Sequence, residues 1–593
     1  MTHTLIYPHT TRHNAAGHLE IGGCDVVDLA HEHGTPLFIY DEQSVRDQCR
    51  AYHAAFGART DLYEIVYASK AFSCRAMCQL VAQEDLSLDV ATGGELAAAR
   101  AAAFPPARIY FHGNNKSVAE IELGLDAGIG HFVVDSFEEI ERLEAAAAAR
   151  GLRQQVVVRV TPGVRPATHD FVQTGQQDSK FGFGLADGRA AAAVRRLRGA
   201  AHLELVGVHA HIGSQIFELD SYRREVEVLF IALDDWRRDF GFECCILNIG
   251  GGLGIRYTSA DMPSSIEELA EVGVSAVREG AERHGMTVPK LFVEPGRSIA
   301  GKAAVTAYTV GTVKVIPGVR PTTHDFVQTG QQDSKFGFGL ADGRAAEAVR
   351  RLGGAAHLEL VGVHAHIGSQ IFALGSYRRE IEVLFIALDD WRREFGFECC
   401  VFNIGGGLGI RYTSADKPSS IEEFAEVGVS AVREGAERHG MVMPKLFVEP
   451  GRSIVGKAAV TAYTVGTVKV IPKVRTYVAV DGGMSDNLRP MLYDSRYEAM
   501  LASKAEAPAT EVVTVAGKHC ESGDVLVRDV HIAPPEPGDI LVTPGTGAYG
   551  YAMANNYNAQ PRPAVVMVAE GRARIIIARE TWDDVLRLQR PLA

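Results

Sequence analysis

Short apolar runs rich in β-branched residues recur along this chain, and each is followed by a longer stretch whose apolar positions return every three or four residues. The first rhythm suits a buried strand and the second an amphipathic helix, so their alternation predicts parallel βαβ units. Strands are expected at 62–69, 86–91, 108–112, 131–135, 155–161, 205–212, 244–249 and 291–294. Eight is the number that closes a (β/α)8 barrel. Between them, Tyr222, Val226, Leu229, Phe230, Leu233 and Trp236 fall on one helical face. "SIEE" from Ser265 forms a capping box, and Gly285 suits the end of that helix. After Pro472 the texture changes to alternating strands with Gly and Pro turns ("RTYVAVDGG", "EVVTVAGKHC", "DILVTPG"), which predicts a β domain.

The barrel pattern is interrupted by a repeat. "GVRPATHDFVQTGQQDSKFGFGLADGR" begins at Gly163, and almost the same text begins again at Gly318, an offset of 155 that runs without a gap to Pro317 and Pro472. The copies differ at 14 positions, so 141 of 155 match. Solenoid repeats are shorter and more diverged; this is a tandem duplication. It adds strands at 360–367, 399–404 and 446–449, so eleven candidates compete for eight places. The expected layout is an N-terminal segment (1–35), an α/β (β/α)8 barrel (36–317) closed with copy one, a surplus copy two (318–472), and a β domain (473–593). As a flexible loop, the surplus would cost about 4–5 kcal/mol plus a constant. A partly structured lobe beside the barrel is the expected outcome. Copy one is synthesised first and can close the barrel before copy two exists. A mixture is also open, with "VTAYTVGTVKV" of copy two (Val460–Val470) feeding the β domain.

Composition narrows the function. With 46% hydrophobic and 22% charged residues the chain is that of a globular protein, and a net charge of −13 argues against a nucleic-acid partner. No apolar run is long enough for a membrane span, and the polar, His-rich N-terminus lacks a signal-peptide layout. Nine cysteines without zinc-like spacing point to a reducing, cytoplasmic setting and to no metal site.

Barrel chemistry lies at the C-terminal ends of the strands. There the sequence places Lys70, Asp89, Arg159, His211 and Ser214 in "HAHIGSQ", Gly250, Gly251 and Gly252 in "NIGGG", and Glu294, Gly296 and Arg297 in "EPGR". Taken alone, Lys70 reads as a snorkelling surface lysine and the GGG as a turn. Taken together they make a site: glycines let backbone N–H groups approach a phosphate, Ser214 adds a donor, and a glutamate can hold a protonated ring nitrogen opposite a reactive lysine.

The ordered set "YASKAF … DVATGGEL … HGNNKS … HIGSQ … NIGGG … EPGR … CESGD … GAYGYAMANNYN" resembles the pyridoxal-phosphate-dependent barrel decarboxylases of the ornithine, arginine and diaminopimelate group, most closely the members acting on diaminopimelate. The resemblance implies pyridoxal 5'-phosphate as cofactor and decarboxylation of meso-2,6-diaminopimelate to L-lysine, with another basic amino acid as the rival substrate. It implies that Lys70 carries the cofactor, that His211 or its twin His366 stacks on the ring, and that Glu294 or Glu449 pairs with the ring nitrogen. The phosphate falls to Ser214/Ser369, the glycines (Gly405, Gly406 and Gly407 in copy two) and the "EPGR" backbone (Gly296 or Gly451), helped by Tyr549. The far end of the substrate falls to Arg297 or Arg452, Arg489, Tyr493, Glu521 and Tyr549, since paired guanidinium forks suit a carboxylate. Cys520 is implied as the proton donor, arriving from the partner subunit of a homodimer with shared sites. The family has one set of strands six to eight, whereas this chain has two cradles for a single Lys70; an inactive duplicated relative is the remaining alternative.

Overall fold

The structure is a computed structural model and describes residues 6–164, 178–258, 260–308, 337–355 and 357–592. The junction between the copies, at 317/318, lies outside the described residues.

Eight parallel strands close into a barrel: β1 (Tyr63–Ala68), β2 (Ser87–Val90), β3 (Ile109–Phe111), β4 (His131–Val134), β5 (Gln154–Thr161), β6 (Leu203–His209), β7 (Ile246–Asn248) and β8 (Lys290–Val293). Each pairs with its sequence neighbour, and β8 closes the ring by pairing Leu291 with Tyr63 of β1. All eight lie where the apolar runs placed them. Their residues are almost wholly buried because helices cover the outside and side chains fill the inside. The helix Asp220–Phe240 buries Tyr222, Val226, Leu229, Phe230, Leu233 and Trp236, the face its periodicity predicts. The helix Ile266–His284 starts with the Ser265/Glu268 capping box and ends at left-handed Gly285. The strands β6, β7 and β8 all come from copy one.

Copy two forms a lobe of its own. Its strands β9 (Gly362–His364), β10 (Val401–Asn403) and β11 (Lys445–Phe447) make a separate three-stranded parallel sheet. They pack with the helices Gly375–Phe395 and Ile421–Arg438 around a core of Tyr377, Ile381, Phe385, Leu388, Trp391, Phe402 and Val432. The lobe is half a barrel, and its edges show it: Phe447 is 41% exposed and Leu358 63%, whereas their copy-one twins Phe292 and Leu203 are 2% and 1% exposed. The partners that cover β6 and β8 are β5 and β1, and the chain holds only one of each.

A six-stranded sheet follows, ordered β14–β17–β12–β13–β15–β16, from β12 (Val460–Ile471), β13 (Arg475–Val480), β14 (Met500–Leu501), β15 (Glu511–Ala516), β16 (Val525–Ile532) and β17 (Ile540–Pro544). This corrects the boundary drawn at 472: the sheet starts inside copy two, because β12 supplies the strand that both β13 and β17 pair with. In copy one, Ala304–Ala307, the twins of Ala459–Ala462 where β12 begins, instead pair antiparallel with Leu37–Tyr40 beside the barrel mouth; the twins of Thr464–Ile471 lie outside the described residues. Val565–Ala569 and Arg572–Ile577 form a hairpin apart from this sheet and leave Val568 and Ile575 exposed.

Candidate active site

Lys70 sits on a 3-10 turn, Ser69–Ala71, directly after β1. The turn is pinned across the barrel mouth by the Ala68 N–H, which donates to the Pro295 carbonyl (3.2 Å). A cavity of about 390 Å³ opens there, and among its lining are Lys70, His211, Ser214, Gly252, Glu294 and Arg297. Gly296, Cys520, Glu521 and Tyr557 complete the chemistry on its walls.

Glu294 ends β8 and is 7% exposed. Asn248 Nδ2 donates to its Oε1 (2.7 Å), His112 Nε2 lies 3.1 Å from the same oxygen, and His209 Nε2 lies 3.2 Å from Oε2. Burial pushes this carboxyl up, but His112 and His209 outweigh it, so the group is held well below the usual carboxylate range. His209 itself is pushed down to about 4 by burial. These two histidines were not singled out in the sequence; His112 lies in the quoted "HGNNKS" and His209 in "HAHIGSQ", two residues before His211. Their positions at the ends of β3 and β6 are the signal that was available.

His211 follows β6, and its Nδ1 accepts the Gly251 N–H (3.2 Å). Burial, then Lys70 and Arg159, keep its imidazole neutral by pulling it well below the ordinary histidine value. The glycine turn after β7 is tight by necessity. A side chain at Gly251 would run into the Glu294 carbonyl, and Gly252 has φ +106° with the Gly213 carbonyl against it. Asp89, ending β2, is buried with Oδ1 lacking a hydrogen-bond partner, and burial raises its carboxyl. Arg159 on β5 lies over the Phe181 ring (4.2 Å) and 3.8 Å from Asp135.

Opposite Lys70 stands Cys520. Lys70 Nζ donates to Cys520 Sγ at 3.4 Å, within a single chain. The loop after β15 brings this thiol to the barrel mouth. Burial raises the thiol above its ordinary value despite Lys70 and Arg159, so sulfur keeps its proton. Burial works against the Lys70 ammonium, but its acidic surroundings (Cys520, Glu521 and Asp89) raise it on balance. Tyr557, in "MANNYN", was also missed; its hydroxyl donates to Glu521.

The remaining expected residues gather elsewhere. His366, Ser369, Gly405, Gly406, Gly407, Glu449, Gly451 and Arg452 form a second cradle on the copy-two lobe and do not line the Lys70 cavity. Gly406 N–H donates to His366 Nδ1 (3.1 Å), as in copy one, but the Glu449 side chain is 56% exposed because no β1 or β3 stands opposite. Arg489, Tyr493 and Tyr549 were expected with Lys70; the six-stranded sheet is joined to copy two, so it delivers Arg489 and Tyr549 to this cradle instead. Arg452 lies over the Tyr549 ring (4.8 Å), and Arg489 over Tyr412 (4.6 Å). Arg297 keeps the Lys70 cavity to itself, braced by Tyr257 Oη at 2.6 Å.

A family model described as "Pyridoxal-dependent decarboxylase, pyridoxal binding domain" matches residues 42–301 and 307–456. The chain belongs to the pyridoxal-dependent decarboxylase family. Among its relatives in this family is the diaminopimelate decarboxylase of Bacillus subtilis (strain 168), 37% identical over 582 residues that span 98% of this chain and 97% of that protein. Another is the diaminopimelate decarboxylase of Halalkalibacterium halodurans, 36% identical over 588 residues and 99% of each chain. The enzyme of that name from Mycobacterium tuberculosis (strain ATCC 25618 / H37Rv) is 35% identical over 98% of this chain and 97% of its own. A solved diaminopimelate decarboxylase from M. jannaschii, in co-complex with L-lysine, aligns with TM-score 0.48 at 24% identity over 98% of both chains. Membership makes the cofactor pyridoxal 5'-phosphate, and the cavity suits it: one half-buried amine, one carboxylate held anionic, one neutral imidazole and a glycine turn with no room for side chains.

Proposed function

We propose that this enzyme decarboxylates meso-2,6-diaminopimelate to L-lysine and CO2. The observation that carries the reading is the Lys70–Cys520 pair, 3.4 Å apart, in the cavity that also holds Glu294 and Arg297. Relatives bearing that activity's name span nearly the whole chain.

In this reading Lys70 is the amine that would hold the cofactor, Glu294 would serve its ring nitrogen, and His211 would support the ring. Ser214, Gly250–Gly252 and the Gly296 backbone take its phosphate, while Asp89 and Arg159 set the charge beneath. When bound, pyridoxal phosphate supplies the electron sink that accepts the pair left behind as CO2 departs. An anionic Glu294 is what such a ring nitrogen requires, and His112 and His209 keep it so. Cys520, protonated, would be the acid that supplies a proton in place of the departing CO2, leaving a thiolate beside the Lys70 amine; an acid of this kind contributes about 10²–10⁴-fold to a rate. At the far end of the substrate, Arg297 receives the carboxylate with its planar fork and Glu521 the ammonium. Tyr257 and Tyr557 fix these two groups in place. An opposed Arg/Glu pair favours a substrate whose far end is itself dipolar, which a plain diamine precursor such as ornithine lacks.

Two further elements belong to the reading. A homodimer is supported by apolar surface left uncovered on the Val565–Ile577 hairpin and the copy-two edge, and a species of twice the chain mass in sedimentation tests it. A cytoplasmic setting is supported by nine free cysteines. Among the described residues no helix is long and apolar enough to cross a membrane.

The decisive experiment supplies purified protein with pyridoxal phosphate and meso-diaminopimelate and scores CO2 and lysine, with Lys70→Ala as the control. Product from the wild type and none from the variant is expected. Bound cofactor without product rejects the assignment.

A further inference from the structure

Two arginines of the copy-two cradle are buried cations. Arg452 opens the short helix after the second "EPGR" and is 8% exposed; Arg489 opens the helix Arg489–Tyr493 that follows β13 and is 6% exposed. Tyrosines surround both. Arg452 Nη1 donates to Tyr412 Oη, Nη2 donates to Ser369 Oγ (2.9 Å), and the guanidinium lies over the Tyr549 ring. Arg489 Nη1 donates to Tyr497 Oη (2.6 Å). Both guanidiniums lie over one ring, that of Tyr412. Burial raises the Tyr497 hydroxyl above its ordinary value and both arginines pull against it, as two cations at one spot would.

Among the described residues no carboxylate lies within ion-pair distance of either guanidinium. Other buried cations have one: Lys116 lies 2.7 Å from Glu139, Lys518 beside the Cys520 loop 2.8 Å from Glu120, and Lys180 3.2 Å from Asp524. Arg452 Nε is buried without a hydrogen-bond partner, and Arg489 donates through Nη1 alone among the described residues. Aromatic faces recover part of what a cation loses on leaving water, and an anion recovers the rest.

The text of the repeat does not specify this arrangement. In copy one Arg297 also donates to the matching tyrosine, Tyr257, but that ring is 52% exposed where Tyr412 is 8%. The sheet makes the difference. Tyr412 belongs to the sheet's core together with Tyr497, and Gly547, two residues before Tyr549, is pressed so closely on the Val455 carbonyl that a side chain there would collide. Docking of the sheet on copy two thus sets a second guanidinium beside the first, away from the Lys70 cavity. No lysine is among the residues that form this box, so it has no amine to bind an aldehyde covalently.

We propose that Arg452 and Arg489, walled by Tyr412, Tyr497 and Tyr549, form a second, noncovalent binding site for a phosphate group, carried by free phosphate or by a phosphate monoester. Two guanidiniums of fixed charge match a dianion. One planar fork already satisfies the two oxygens of a carboxylate, whereas two forks on different elements suit the several oxygens of a phosphate. The half-exposed Tyr549 ring gives the site an edge on solvent. Because one arginine belongs to the lobe and the other to the sheet, a bound phosphate ties the two together. The proposal goes beyond the decarboxylase reading and does not rest on it.

The test is calorimetric titration of the full chain at fixed ionic strength, with the cofactor first fixed to Lys70 by borohydride so that the Lys70 cavity stays filled. The probes are inorganic phosphate, methyl phosphate and, as a dicarboxylate, glutarate. Phosphate is expected to bind the wild type and to bind Arg452→Met and Arg489→Met about tenfold more weakly or worse. Arg489→Lys, which keeps the charge without the fork, should fall between them. Whichever of the two phosphates binds more tightly names the source. No phosphate bound by the wild type, or equal affinity in the wild type and the variants, overturns the proposal, and so does glutarate bound in preference to both phosphates. Should the methionine variants not fold, the urea midpoint carries the test: phosphate should raise it in the wild type and raise it less in Arg489→Lys, and an equal rise overturns the proposal. Turnover is not read, so failure here leaves the decarboxylase reading standing, and a wild type without activity leaves this proposal standing.

Discussion

Replacing Lys518 by methionine removes the charge that Glu120 was buried against while keeping most of the side chain's bulk. Burial alone pushes the Glu120 carboxyl up, yet Lys518 and the backbone donors of Ser117 and Gly93 pull it down to about 2 from 4.5. At about 1.4 kcal/mol per pH unit, that depression contributes about 3 kcal/mol to folding at neutral pH. The figure agrees with the cost of about 3–5 kcal/mol for breaking a buried ion pair from one side. A depressed carboxylate stabilises above its unfolded value and loses that contribution as pH falls towards its folded value. The wild type should therefore lose about 2 kcal/mol from this group between pH 7 and pH 3, and Lys518→Met should not. Urea unfolding of both proteins at pH 7, 5 and 3 reads the difference directly, with other carboxylates cancelling in the comparison. Because Lys518 lies two residues before Cys520, the variant is also expected to lose turnover as the loop detaches. A cost below about 1 kcal/mol at pH 7, or an equal acid-dependent loss in both proteins, would refute this account of the docking.

Glu380 in the copy-two lobe has both carboxyl oxygens buried without a partner, and burial raises its carboxyl to about 8. The folded lobe then holds a proton that the unfolded chain releases near 4.5, so its stability should fall by up to about 1.4 kcal/mol per unit as pH rises from 4.5 to 8. Glu380→Gln should flatten that slope in hydrogen exchange of the lobe, and an unchanged slope would count against it. His211→Ala should weaken cofactor retention, seen in the visible absorbance of the purified protein, while His366→Ala leaves it unchanged; the reverse outcome would move the working site to copy two. Cys520→Ser should cut turnover by about 10²–10⁴-fold with cofactor content intact, and loss of cofactor along with turnover would make the thiol a structural group.

Much of this protein was legible in one dimension. Strand and helix periods gave all eight barrel strands, because a closed parallel sheet makes its strands uniformly apolar and so easy to see. Lys70, His211, Ser214, Glu294 and Cys520 were recoverable from ordered motifs at strand ends. His112 and His209 were overlooked, since a histidine inside a motif does not announce that it faces a glutamate 182 or 85 residues away. The place of Arg489 and Tyr549 at the other cradle was likewise out of reach of the motifs, which record order along the chain and not which half-barrel a sheet will dock on.

The repeat makes the division sharp. Local sequence set what each copy can form, and both copies duly form the same helices, glycine turn and "EPGR" loop. It could not set which copy becomes a site, since Glu294 and Glu449 sit in nearly the same text. One is buried between two histidines and the other lies open. The difference comes from pairing over long distances: β1 to β5 occur once, close with one set of three strands, and leave the other half-finished. Burial, and with it charge state and chemistry, belongs to the partner a strand finds.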